Sequence, residues 1–202
     1  MLDIRNGQMS ETSASLLQRL RGEPDAVSWQ RLVDLYTPLV QGWLRRHFVQ
    51  LQDAEDLTQD VLGVVVREIK HFEHNQRPGA FRAWLRTITV NCLRAQWRKR
   101  QGKAEATGNS DVAKQLDQLE DPRSGLSQLW DQQHDRHVMA RLLDMMACEF
   151  SSVTWQAFQR HALGGEPASE VAANLGVSVN VVLLAKSRIL RRLRQEANGI
   201  LD

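Results

Sequence analysis

Four carboxylates crowd one short stretch of the chain: Asp53, Glu55, Asp56 and Asp60. Acids this close could hold a divalent metal for phosphodiester cleavage. They fall within one or two helical turns, however, and no matching His or distant carboxylate completes the set. A metal-dependent nuclease is therefore the weaker reading. At the start of a helix the same acids meet free amides and the positive end of the dipole, and Asp53 suits that place. The two cysteines, Cys92 and Cys148, are far apart and have no His at ligand spacing, so neither a disulfide framework nor a zinc site is implied. No catalytic residue, metal or cofactor is expected, and the chain does not read as an enzyme.

The chemistry that remains is charge. The formal net charge is only +2, but the charges are segregated. Between residues 77 and 103 stand Arg77, Arg82, Arg86, Arg94, Arg98, Lys99, Arg100 and Lys103, without an acid among them. A second basic cluster comprises Lys186, Arg188, Arg191, Arg192 and Arg194, while Asp111, Asp117, Glu120, Asp121, Asp131 and Asp135 make the middle acidic. Two basic segments are what a chain needs to hold polyanionic backbone at two places.

The C-terminal cluster follows a sharp local motif. Pro167 suits the first position of a helix, Ala172 is small enough for close packing, Gly176 allows a left-handed turn and Ser178 caps the next helix. This is the pattern of a helix-turn-helix, whose second helix enters the major groove. In that helix Val182, Ala185, Ile189 and Leu193 form the inward stripe. Asn180, Ser187, Arg188, Arg191 and Arg194, with Ser178 at the cap, are the candidates for reading bases or holding phosphates. A plain amphipathic helix with a solvated charged face is the alternative; turn, cap and charge together favour DNA. Leu183 and Leu184 are unexpected on such a face: they could touch thymine methyls, pack on a neighbour or meet a protein partner.

Positioning these residues requires helices. A single Tyr and 12 Gly argue against an all-β sandwich, while 42% hydrophobic residues supply a core. Helical spacing marks residues 11–22 and 26–48, with a kink or break expected at Pro38. Another helix should start at Asp53, carrying Leu57, Val61, Val65 and Ile69 on one face. After a loop at 71–80, a long helix from Phe81 to Arg100 buries Phe81, Trp84, Leu85, Ile88, Cys92 and Ala95. Arg86, Arg94 and Trp97 fall on its other side. Trp97 among arginines could stack on an unpaired base, or pack on a neighbouring helix or the linker. Residues 101–125 read as a linker with a short helix near 112–119, and periodicity returns at 126–148 and 153–163. The fold class expected is all-α: two small helical domains, 1–100 and 126–202, joined by a flexible linker, 101–125. No apolar run is long enough for a membrane span and no signal-peptide core opens the chain, so no membrane insertion is expected and a cytoplasmic location is.

Three ordered motifs together resemble the extracytoplasmic-function (ECF) sigma factors of bacterial RNA polymerase. They are Asp53-Ala-Glu-Asp-Leu-Thr-Gln-Asp60, Phe81-Arg-Ala-Trp-Leu-Arg-Thr-Ile-Thr-Val-Asn-Cys-Leu-Arg94 and the helix-turn-helix. The resemblance covers about Leu16–Arg194. It implies that the first domain, sigma region 2, binds the polymerase clamp helices through Asp53, Glu55 and Asp56, with Glu55 the best contact candidate. It further implies that this domain opens the −10 element with Asn75, Arg77, Arg82, Arg86, Asn91, Arg94, Trp97 and Arg98, while Trp84 belongs to the packing. The second domain, sigma region 4, would bind the −35 element and the polymerase flap, with the linker near the RNA exit path. Partners implied are core RNA polymerase and promoter DNA, and the Leu183–Leu184 face leaves room for an anti-sigma factor. Val181-Val-Leu-Leu184 is less basic than the family's usual start to that helix.

The physical logic is bivalency: two weak DNA grips gain affinity when polymerase fixes their spacing. Alone, a near-neutral chain with an acidic middle should bind promoter DNA poorly. A helix-turn-helix regulator that does not associate with polymerase would explain the C-terminal motif but leave the central basic helix and the segment 53–60 without a role.

Overall fold

A computed structural model describes residues 15–47, 51–73, 77–101 and 109–201. All regular structure among them is helical: α1 (Leu16–Arg21), α2 (Ala26–His47), α3 (Leu51–Glu68), α4 (Ala80–Gln101), α5 (Asn109–Glu120), α6 (Gly125–Met146), α7 (Ser152–Phe158), α8 (Ala168–Leu175) and α9 (Val179–Ala197). Short 3-10 turns follow α3 and α6, and a π-helical turn follows α7.

The helix starts obey local chemistry. Ser15 and Gln18 form a capping box on α1. Ser124, Ser151 and Ser178 each accept a hydrogen bond from the backbone three residues on, at α6, α7 and α9. Helix α3 begins two residues ahead of the expected Asp53, which places Asp53 in its first turn, still at the positive end of the dipole.

Pro38 does not end a helix: α2 runs through it as a continuous element. Proline removes one backbone donor and crowds the preceding turn. The cost is outweighed because Leu32, Leu35, Tyr36, Leu39, Val40, Trp43 and Leu44 are buried on both sides of it. Pro38 itself lies exposed on the outer face.

The main core joins the two halves of the sequence. Leucines and aromatics of α1–α4 pack in one apolar cluster with Leu116 and Leu119 of α5, Trp130, Val138, Leu142 and Met146 of α6, and Leu193 and Ala197 of α9. Of the segment read as linker, residues 102–108 lie outside the described part. The rest holds α5, a longer helix than the short one expected at 112–119, and α5 packs on both α4 and α6. A second, smaller cluster, formed by Ala157, Val171, Ala172, Val182 and Ala185, holds α7, α8 and the first half of α9 together.

Helix α4 is therefore enclosed from two sides. The expected stripe is there in Phe81, Leu85 and Ile88, but Arg86, Thr89, Val90 and Leu93 are buried as well. A one-stripe reading misses this because α5 and α6 cover the face opposite α3. No single helix among the described residues is long and apolar enough to cross a membrane.

Candidate nucleic-acid interface

Helices α8 and α9 are joined by a tight turn and bend by 107°, within the range of a helix-turn-helix. Gly176 makes the turn at φ +66° and ψ +31°, a left-handed conformation in which a side chain is strained. Val177 N–H then donates to the Ala172 carbonyl at 3.0 Å and closes the end of α8. Pro167 sits one residue before its expected place, as the extended residue that precedes α8. The inward stripe is as expected: Val182, Ala185, Ile189 and Leu193 are all buried. On the other side Ser178, Asn180, Ser187, Arg188, Arg191 and Arg194 are all exposed.

That exposed surface is basic and apolar at once. Leu183 and Leu184 are 48% and 42% exposed, with Val179 and Val181 beside them at the start of α9. Neither leucine joins either of the two apolar clusters.

The candidates on α4 and in the segment before it divide into two groups. Arg77, Asn91 and Arg98 are exposed and Trp97 is half-buried, while Asn75 lies outside the described residues. Arg82, Arg86 and Arg94 are instead paired with acids from the middle of the chain. Arg82 donates to Asp135 at 2.7 Å and lies 3.5 Å from Asp131; Arg86, only 5% exposed, donates to Asp131 at 2.7 Å. Arg94 reaches Asp117 at 2.9 Å and also Glu120. Hydrogen bonds to these acids push the Arg94 guanidinium pKa up despite partial burial, so its charge is secure. Asp135 is held below the usual carboxylate range: burial alone would raise it, but His134 and Arg82 outweigh burial.

Next to this network His134 is fully buried, stacked on Tyr36 with ring centroids 5.8 Å apart, its Nδ1 2.9 Å from Asp135. Burial lowers its pKa below the ordinary value even though Asp135 pulls the other way, which keeps the ring neutral.

A cleft of about 500 Å³ opens where the chain turns into α4. His71, Phe72, Arg77, Pro78, Ala83 and Trp84 line it. Phe72, Phe81 and Trp84 form an aromatic cluster with centroids 4.9–5.5 Å apart. Gly79 turns the chain there at φ +74°, and a Cβ on it would stand 2.6 Å from the Arg82 guanidinium. Thus Trp84 packs, as expected, and also offers a half-exposed ring to the cleft. His71, Phe72 and Trp84 were not site candidates from the sequence: Trp84 was assigned to the apolar stripe of α4, and His71 and Phe72 fell in the loop at 71–80 without a role of their own. The Pro78-Gly79 pair was the signal that the backbone opens there.

At the other end of the first helices, Glu55 and Asp56 are exposed on the first turns of α3 and Asp53 is half-buried. Gln41 of α2 donates to Glu55 at 3.2 Å. Among the described residues no group of His, Cys, Asp and Glu is arranged to hold a metal ion.

Comparison with known proteins agrees with this geometry. Residues 32–103, from α2 to just beyond α4, match the family model Sigma-70 region 2. The chain is also 30% identical over 173 residues to the ECF RNA polymerase sigma factor SigE of Mycolicibacterium smegmatis. That alignment takes in 83% of this chain, which spans 60% of the length of the curated relative it matches. The region 2 match falls on the helices that carry the acidic start, the aromatic cleft and the basic face, and the wider likeness spans most of the chain. Residues 32–103 thus match the sigma-70 region 2 family, and most of the chain is similar to an extracytoplasmic-function sigma factor.

Proposed function

We propose that this chain is a sigma subunit: it binds core RNA polymerase, selects promoters and helps open them. Glu55 and Asp56, with Asp53 behind them, present an acidic helix start to the polymerase clamp helices. Helix α9 reads the −35 duplex through Ser178, Asn180, Ser187, Arg188, Arg191 and Arg194. Helix α4 and the turn before it hold the −10 element, with Asn75, Arg77, Arg82, Arg86, Asn91, Arg94, Trp97 and Arg98 as contacts. In the working complex the units 1–100 and 126–202 act as separate DNA grips on one tether, 101–125.

The observation that carries the reading is the outer face of α9. Its candidate base and phosphate contacts are all exposed on a helix whose opposite side is packed into two cores. A free face of this kind is what a major groove requires. The −10 step needs a different chemistry, because a base must leave the stack. Aromatic rings beside arginines lower that cost by about 1–3 kcal/mol per stacked base. Polymerase makes the phosphodiester bonds, so no bond-making is asked of this chain.

The test is promoter opening by the mixture of this chain and core polymerase, followed by permanganate reactivity of unpaired thymines. Wild type should open a promoter that core alone leaves closed. Trp97→Ala should form the closed complex nearly as well and open it less. Equal loss at both stages would assign Trp97 to packing.

A further inference from the structure

The part of a recognition helix that meets base edges is its first half, and in this chain that half carries no charge. Residues 179–185 read Val179-Asn-Val-Val-Leu-Leu-Ala185, and the basic side chains begin only at Lys186. Val182 and Ala185 are buried in the small core of α7–α9, whereas Val179, Val181, Leu183 and Leu184 are 39–48% exposed. Asn180 is the one hydrogen-bonding side chain of the stretch. Asn180, Leu184, Ser187 and Arg191 are all exposed and recur at steps of four, three and four residues, so they form one row along α9. Leu184 stands inside that row, between Asn180 and Ser187.

Base chemistry limits what such a row can recognise. Guanine is read by a bidentate Arg or Lys, and cytosine by a carboxylate that accepts from its amino group. Residues 179–185 offer neither. Asn is matched to adenine, and an apolar side chain to the C5-methyl group of thymine.

We propose that Leu184, with Leu183 beside it, reads the C5-methyl group of a pyrimidine in the upstream promoter element, close to an adenine read by Asn180. The inference rests on the reading of α9 as the −35 helix and adds the base chemistry that it selects. Asn180 and Leu184 are about 6 Å apart along the axis, against about 3.4 Å per base, so their two contacts fall one or two base pairs apart. Charge favours duplex DNA as the occupant of this apolar face. No acid occurs from residue 171 to residue 195, and Lys186, Arg188, Arg191 and Arg194 follow the leucines on the exposed surface. These cations hold the helix against phosphate while the apolar side chains meet the bases. Cytosine has only hydrogen at C5 and leaves Leu184 facing a gap, whereas 5-methylcytosine fills it. Methylation of a cytosine at that position therefore strengthens binding, which makes base modification an input to promoter choice.

The experiment uses holoenzyme assembled from the full chain and core polymerase. Duplexes are selected from a library with a random upstream window, and the best binder is remade with uracil for each thymine of the window in turn. Uracil removes one methyl group and changes nothing in the protein. Wild type should lose about threefold to fivefold in affinity at the position facing Leu184, the value of one buried methyl, and little elsewhere. Holoenzyme with Leu184→Ala should bind the thymine and uracil duplexes alike, while Leu184→Met, which keeps an apolar reach, should retain most of the difference. Cytosine at the same position should bind more weakly than thymine, and 5-methylcytosine should recover the share due to the methyl. Equal affinity for thymine and uracil at every position overturns the inference, as does a thymine preference that Leu184→Ala leaves unchanged. Sequence-specific selection that ignores the methyl would leave the −35 reading standing and assign the leucines to a protein partner. If no upstream sequence is enriched at all, the −35 reading of α9 has failed together with the inference.

Discussion

Arg191 stands exposed on α9, about one helical turn beyond Ser187 on the same face, with no acid paired to it among the described contacts. A guanidinium in that position is available for a base edge or a phosphate. Arg191→Ala should weaken binding of the upstream promoter element by about 1–3 kcal/mol if it reads a base, measured as holoenzyme affinity on matched and mismatched −35 sequences. Equal affinity on all sequences would assign it away from the duplex. His134 makes a prediction of another kind. Burial keeps its pKa below 6.5 in the folded chain, so the unfolded chain takes up its proton first as pH falls. Stability from the neutral ring is therefore complete above pH 6.5 and declines below it. His47, also shifted down by burial, contributes in the same direction. Asp135, held below 3.8, acts only in more acidic solution. The melting temperature should fall by several degrees between about pH 7.5 and about pH 5.5, and His134→Gln should flatten that slope. An unchanged slope would remove His134 from the account.

At the scale of elements, the turn between α8 and α9 was the most legible part of the chain, since Gly176 and Ser178 each have one local task. Gly176→Ala puts a side chain at φ +66°, with no atom within 4 Å of the new Cβ, so the cost is conformational alone. About 1 kcal/mol of stability should be lost in urea unfolding, with weaker −35 binding from a re-aimed α9; full stability would show that the turn has another conformation. Helix α2 was less legible because Pro38 is a local signal to stop, and the burial that overrides it comes from other helices. Helix α4 was half legible. Its stripe of Phe81, Leu85 and Ile88 was readable, whereas the burial of Arg86, Val90 and Leu93 depends on α5 and α6, whose arrival no periodicity announces.

The whole molecule is tied together by contacts far apart in sequence. Glu196, 2% exposed near the end of α9, accepts from Arg19 of α1 at 3.0 Å, Arg31 of α2 at 3.2 Å and Arg192 at 2.6 Å. Burial opposes its charge, but the arginines hold its pKa below the ordinary value. Glu196→Ala would leave these cations without their shared partner. Because they are 21–33% exposed and can rehydrate, the loss should be about 2 kcal/mol, short of a fully buried pair, read from chemical unfolding. A loss below a few tenths would mean that the halves are held by the apolar core alone. The sequence carried both basic segments and the acidic one between them, yet it did not show that the acids fold back on α4, because Arg82 and Asp135 find each other across 53 residues. Segregated charge at the level of sequence became complementary charge in the fold. Run-off transcription with purified core polymerase on fragments of the source genome tests the central claim most directly. Specific transcripts should appear only when the chain is added, and Glu55→Lys with Asp56→Lys should abolish them without unfolding the protein. Transcription identical with and without the chain would contradict the assignment of a sigma subunit.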